Sequence, residues 1–176
     1  MGKSKRSKDE LKRVSQEHLS YEFQMFHDCA RLIENEVVQQ IDSLRNAVVE
    51  SFAIHMRVLV KFFFDKKPQD TDVVAADFFN DSITWNTIRD QVADEVEIVK
   101  LCHRVNKEVA HLTYDRLNVK PEEKGWLKTG GRAYDIIARA YQKFIATVPE
   151  DVIGENLIQE KKRIQQINRG SGLEFN

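Results

Sequence analysis

Residues 42–64 read DSLRNAVVESFAIHMRVLVKFFF, an unbroken run with neither glycine nor proline. Leu44, Val48, Phe52, His55, Met56, Leu59, Phe62 and Phe63 recur three and four positions apart, the period of a helix with one buried face. Ala47, Val49 and Val60 widen that stripe. Asp42 or Ser43 is placed to cap the helix start, because a short oxygen-bearing side chain accepts from the free amides of a first turn. A strand would need apolar and polar residues in strict alternation, and no useful length of this chain alternates.

The same period extends in both directions. A first helix is expected from about Asp9 to about Gln39, on the row Leu11, Val14, His18, Tyr21, Met25, Cys29, Leu32 and Glu36. Between Asp65 and Thr84 the pattern changes. KKPQDTD is a loop by composition, with Pro68 as breaker, and VVAADFFND is expected to form a turn or two of helix capped by Asp72. Phe78 and Phe79 there must cover something, either the bundle or a partner. A third helix is expected from Asn86 or Thr87 to near Leu117, with Val92, Val96, Val99, Cys102, Val109 and Thr113 inward. NVKPEEKGW and then Thr129-Gly130-Gly131 read as breaks, with Pro121 suited to the first turn of a new segment. A fourth helix follows, GRAYDIIARAYQKFIATV, with Tyr134, Ile137, Ala138, Tyr141, Phe144 and Ile145 on one side. Residues 156–168 suit a short charged helix. The expectation is one all-α domain over residues 1–170, a four-helix bundle with short accessory helices, and a flexible tail at 171–176.

Composition supports this and excludes several functions. Hydrophobic residues make up 41% of the 176 and charged residues 31%, enough to build a core. Seven Gly and three Pro are too few for a turn-rich β fold. A net charge of −1 supplies no global basic field for nucleic acid. The basic segments GKSKRSKDELKR and EKKRIQQINR can contact phosphate, but such segments are more often solvated ends. Cys29 and Cys102 match no metal or redox spacing and suit two buried thiols. No apolar leader and no membrane-length run is present, so a cytoplasmic protein without a membrane partner is expected. No cofactor or metal is expected. A di-iron bundle needs two Glu-x-x-His motifs and further Glu ligands, and Glu108-x-x-His111 occurs once. Asp90, Asp94 and Glu97 lack a His partner and read as a solvated acidic face. Thr129-Gly130-Gly131 lacks the context of a phosphate-binding loop, and Cys102 falls on the inward row, away from any nucleophilic role.

The third helix carries the residues with chemistry. His111 follows Arg104 by seven positions, which sets the two about 20° apart and two turns along. They fall in the middle of the polar face, with Lys100, Lys107 and Glu108 on the same arc. Pairs such as Arg104 with Glu108 and Lys107 with His111 are also ordinary surface decoration. The chemistry that would use the arrangement is phosphodiester cleavage: an imidazole titrating near neutrality moves a proton, and a guanidinium holds the phosphate. Asn106 falls on the apolar arc, where it needs hydrogen-bond partners and would fix the rotation of the helix. His55 lies on the apolar stripe and reads as a satisfied core histidine, while Arg57 lies on the polar side near Glu50 and Lys61.

Arg104-Val-Asn-Lys-Glu-Val-Ala-His111 is an R-x6-H motif and resembles the long end of the R-x4-6-H signature of the HEPN superfamily, a helical-bundle group. The flanking VNKEVAHLTYDR and the Phe-rich ESFAIHMRVLVKFFF are similar to its abortive-infection branch. The resemblance spans roughly Asp42 to Phe144, with its specific part on two helices. It implies a dimeric, metal-independent endoribonuclease of toxin–antitoxin or phage-defence systems, with Arg104 and His111 as the catalytic pair and Asn106, Lys107, Glu108, His55 and Arg57 in support. RNA, a second copy of the chain, and an antitoxin or other protein are the implied partners. The family usually carries a polar residue directly after the Arg, where this chain has Val105. A non-catalytic HEPN-like interaction or nucleic-acid-binding protein is the alternative.

Overall fold

The structure, a computed structural model, describes residues 6–93, 97–98, 100, 114, 117 and 126–171, with backbone alone at 82–83, 126–130 and 167–171. Among these residues the fold is all-α, with no strand. Ser7 and Glu10 close a reciprocal capping box at the start of α1 (Lys8–Val14). A single π turn, Ser15–Leu19, carries the helix on into α2 (Ser20–Ile33). Asn35 then accepts from the amides of Val37 and Val38 and starts the short α3 (Glu36–Gln40). The long α4 covers Asp42–Phe64, α5 covers Ser82–Val92, α6 covers Trp126–Thr147 and α7 covers Glu155–Ser171.

The first helix differs from expectation in length and in phase. It stops at Ile33, and Asn35 begins a new one. Its buried residues are Leu11, Ser15, Leu19, Phe26, Cys29 and Ile33, whereas Tyr21 and Leu32 stand in solvent. The row through Leu19 and Phe26 buries more aromatic and aliphatic volume against α4 and α6 than the row through His18 and Tyr21, and this decides the rotation. The face expected of α4 is buried from Val48 to Phe64, but Leu44 at its start is exposed, as is Ala47. Ile41 occupies the cap position of α4 with no side-chain bond, so neither Asp42 nor Ser43 caps it.

The far end of α4 is an aromatic wedge. Phe144 of α6 is fully buried, and its ring lies 5.4–6.0 Å from those of Phe62, Phe63, Phe78, Phe79 and Trp85. Phe78 and Phe79 thus cover the bundle. They ride on a 3-10 turn, Ala75–Phe78, held by Asp77, whose carboxylate accepts from the Val74 amide at 3.0 Å. Asp72 does not cap this turn. It accepts from the Gln69 amide at 2.8 Å and faces Lys61. The indole of Trp85 donates to the Phe63 carbonyl at 3.0 Å, satisfying one of the unpaired carbonyls at the end of α4.

Two further breaks differ from expectation. Thr129-Gly130-Gly131 does not interrupt the chain: α6 runs through it, because neighbouring helix formers outweigh two glycines that each cost about 1 kcal/mol. The expected third helix is interrupted: α5 ends at Val92 and Ala93 is extended, although no glycine or proline stands there, and Glu97, Ile98 and Lys100 are helical again. Glu97, on the expected solvated acidic face, is largely covered and lies 3.9 Å from Arg132 at the start of α6. The Pro121 segment and the stretch from Val99 to Thr113, Lys100 excepted, lie outside the described residues.

Candidate functional site

The expected catalytic pair, Arg104 and His111, lies outside the described residues, as do Asn106, Lys107, Glu108, Val105 and Cys102. Of the expected supporting residues, His55 and Arg57 are described. Two residues apart on a helix means about 200° of rotation, so they leave α4 on opposite sides. His55 is buried between α2 and α4 and Arg57 is half-buried on the outer side, so the helix does not join them in one site.

His55 is held as a core histidine should be. Its Nδ1 donates to Glu22 Oε2 at 2.6 Å, and the Tyr21 ring stands edge-on to the imidazole at 5.7 Å. Nearby, Cys29 is a buried free thiol that donates to Ser51 Oγ at 3.3 Å. These contacts run antiparallel along the two helices, Glu22 at His55 and Cys29 at Ser51. Glu22 was not among the expected site residues. Its signal was present in the sequence as a charged residue on the row of Leu19, Phe26 and Cys29, where burial of a carboxylate demands a partner.

On its other side Glu22 lines a groove of about 420 Å³ between the π turn, α4 and the 65–74 loop. The floor is apolar, from Leu19, Leu59, Val58 and Phe62. His18, Lys61, Asp65 and Asp72 add polar groups, and Lys61 Nζ lies 3.7 Å from Asp72. Three carboxylates against one lysine leave the lining acidic. Such a lining offers a phosphate backbone no net attraction. Among the described residues no group of three or more His, Cys, Asp or Glu side chains is placed to hold a metal, and no helix is long and apolar enough to cross a membrane.

Three other polar contacts have structural roles. Tyr134 hydroxyl and His27 Nδ1 lie 2.6 Å apart, and burial raises the Tyr134 phenol above its ordinary range. Tyr141 stacks on Phe23 with centroids 3.5 Å apart and donates to Glu160 at 2.6 Å. Its burial, then the carboxylate it serves, keep it protonated. Lys161 is buried and donates to the Val148 carbonyl at 2.6 Å just beyond the end of α6.

The π turn is the most unusual local feature, and its partner is the segment before α7. Ser20 donates to the Ser15 carbonyl, five residues back, and so not to Gln16 as in an α-helix. The side-chain amide of Asn156 donates to the Gln16 carbonyl at 3.3 Å and to Ser20 Oγ at 2.7 Å. The fully buried Ser15 accepts from the Gly154 amide at 2.8 Å and donates to the Lys12 carbonyl at 2.9 Å. A Cβ on Gly154 would lie 2.3 Å from Gln16 Oε1 and 3.0 Å from its Cα, so only glycine fits. Although π turns often mark functional sites, this one is accounted for by docking the C-terminal segment.

In comparisons with protein-family models, curated proteins and solved structures, the chain matches none of them.

Proposed function

We propose that the chain is a HEPN-like, metal-independent endoribonuclease, with His111 as acid–base and Arg104 as phosphate clamp. One observation carries the reading: the R-x6-H spacing, set in VNKEVAHLTYDR and accompanied by the Phe-rich α4, in a chain whose described part is all-helical. On a helix, a spacing of seven brings the two side chains to one face, two turns or about 10.5 Å apart along the axis, so the long arginine side chain must reach back toward the phosphate at which His111 acts. His111 takes the proton of a ribose 2′-hydroxyl. The oxygen then attacks the adjacent phosphorus, and the bond to the 5′-oxygen breaks. Arg104 neutralises the charge that builds on the phosphate oxygens, and the leaving oxygen ends protonated. The finer reading includes a four-helix arrangement, a homodimer with a shared cleft, a cytoplasmic setting and control by an antitoxin-like protein in toxin or phage-defence biology.

The test is cleavage of RNA in excess chelator by the native chain, His111→Ala and Arg104→Ala. Each variant is expected to lose roughly 100-fold or more in rate, and a substrate lacking the 2′-hydroxyl at the cut position is expected to survive. Equal rates for the three proteins sink the assignment. Val105 directly after Arg104 favours a second reading, in which the same face binds RNA without cutting it. Retention of RNA that weakens in Arg104→Ala, with no cleavage by the native chain, is the outcome that selects it.

A further inference from the structure

The face of α4 turned away from the core has an order of its own. Leu44, Ala47, Ser51, Ile54 and Val58 follow one another at three, four, three and four residues, the seam of a coiled coil. Ser51 is half-buried and the other four are exposed, with Ile54 at the centre 51% accessible. On the side of the seam where α2 packs, Tyr21 and Leu32 add exposed apolar surface. A contiguous apolar strip of this kind on a folded protein marks a contact surface. Its other edge carries Glu50 and Arg57, one heptad apart. Neither has an ion-pair partner among the described residues.

We propose that this face is closed by a second copy of the chain, with α4 packed antiparallel on α4 about a twofold axis. Reversal of direction decides the occupant. In an antiparallel pair, residues on this edge meet the same edge of the neighbour, so Glu50 faces the partner's Arg57 and Arg57 faces the partner's Glu50. The twofold axis makes both pairs at once. Along the seam Ile54 meets the partner's Ser51, and Val58 meets the partner's Ala47. Small residues thus lie opposite large ones, and the helices can approach closely. A parallel pair would turn Glu50 and Arg57 toward the positions of His55 and Phe62, which are buried in the bundle and offer no complementary charge. The homodimer is also part of the proposed function; this inference assigns its face from described residues alone, and the cleavage test of Arg104 and His111 stands or falls separately.

Sedimentation equilibrium of the full chain, without RNA, tests it. The native chain is expected to be a dimer. Ile54→Lys is expected to be a monomer with unchanged helical circular dichroism. Glu50→Arg and Arg57→Glu each place like charges together twice and are expected to weaken the dimer by roughly tenfold or more. An equimolar mixture of these two variants pairs Arg with Glu at both positions and is expected to recover native affinity as a heterodimer. A native chain that stays monomeric at its highest soluble concentration overturns the proposal and leaves the face to a different protein. So does a dimer indifferent to Ile54→Lys, or a mixture no tighter than its components.

Discussion

The two ends of the bundle are held by different physics. At the C-terminal end of α4, six aromatic rings converge, and Phe144 touches the other five. At the π turn, contact between the N-terminal helix and the segment before α7 is made by hydrogen bonds from Gly154 and Asn156 to Ser15, Gln16 and Ser20. The wedge is stabilised mainly by area, and its phenylalanine rings can shift without any hydrogen bond of their own being lost. The junction is stabilised by fit, and it fails when one atom is misplaced or one buried donor is left unpaired.

The largest effect is therefore expected from Phe144→Ala, which opens a cavity bordered by five rings. It should cost about 3–5 kcal/mol in urea unfolding. A loss below about 1 kcal/mol would show that the wedge collapses around the gap. Gly154→Ala adds a single carbon and is expected to cost about 1–3 kcal/mol, since the clash includes the Gln16 backbone as well as its side chain. A neutral result would mean that the junction yields as the wedge does. The comparison is sharpest with a second glycine. Gly131 lies within α6, and a Cβ there would meet nothing within 4 Å. Gly131→Ala is expected to stabilise by about 0.4–1 kcal/mol, opposite in sign to Gly154→Ala.

These elements also show what a sequence discloses. The α4 helix was legible because its period is uninterrupted, its core residues are large and no breaker competes. The phase of the first helix was not, because apolar residues occupy two adjacent rows. Tyr21, Met25 and Leu32 look like a core face, and the choice of Leu19, Phe26 and Cys29 depends on what α4 and α6 present. The exposed row then has the composition of a second contact surface. The break at Ala93 and the persistence of α6 through Gly130-Gly131 both escaped a reading of composition, since a helix can break without glycine or proline and two glycines cost less than the rest of a long helix supplies. At the candidate site, His55 was legible as a core histidine, but its partner Glu22 lies 33 residues away and no local pattern joins them. Gly154 and Asn156 escaped notice for the same reason: their significance lies in Ser15, Gln16 and Ser20, which are remote in sequence. Arg104 and His111 were found as a motif alone.

The π turn has a consequence for how this chain can change length. A π turn holds one more residue than the α turn it replaces. Losing one residue from Ser15–Leu19 removes the surplus and leaves α1 in phase with α2, while the Gln16 carbonyl returns to the helix ladder and is withdrawn from Asn156. The same deletion in the middle of α4 turns everything beyond it by about 100° and brings solvent-facing residues inward. A one-codon deletion is thus absorbed at the first site as an altered docking contact, whereas at the second it scrambles the core.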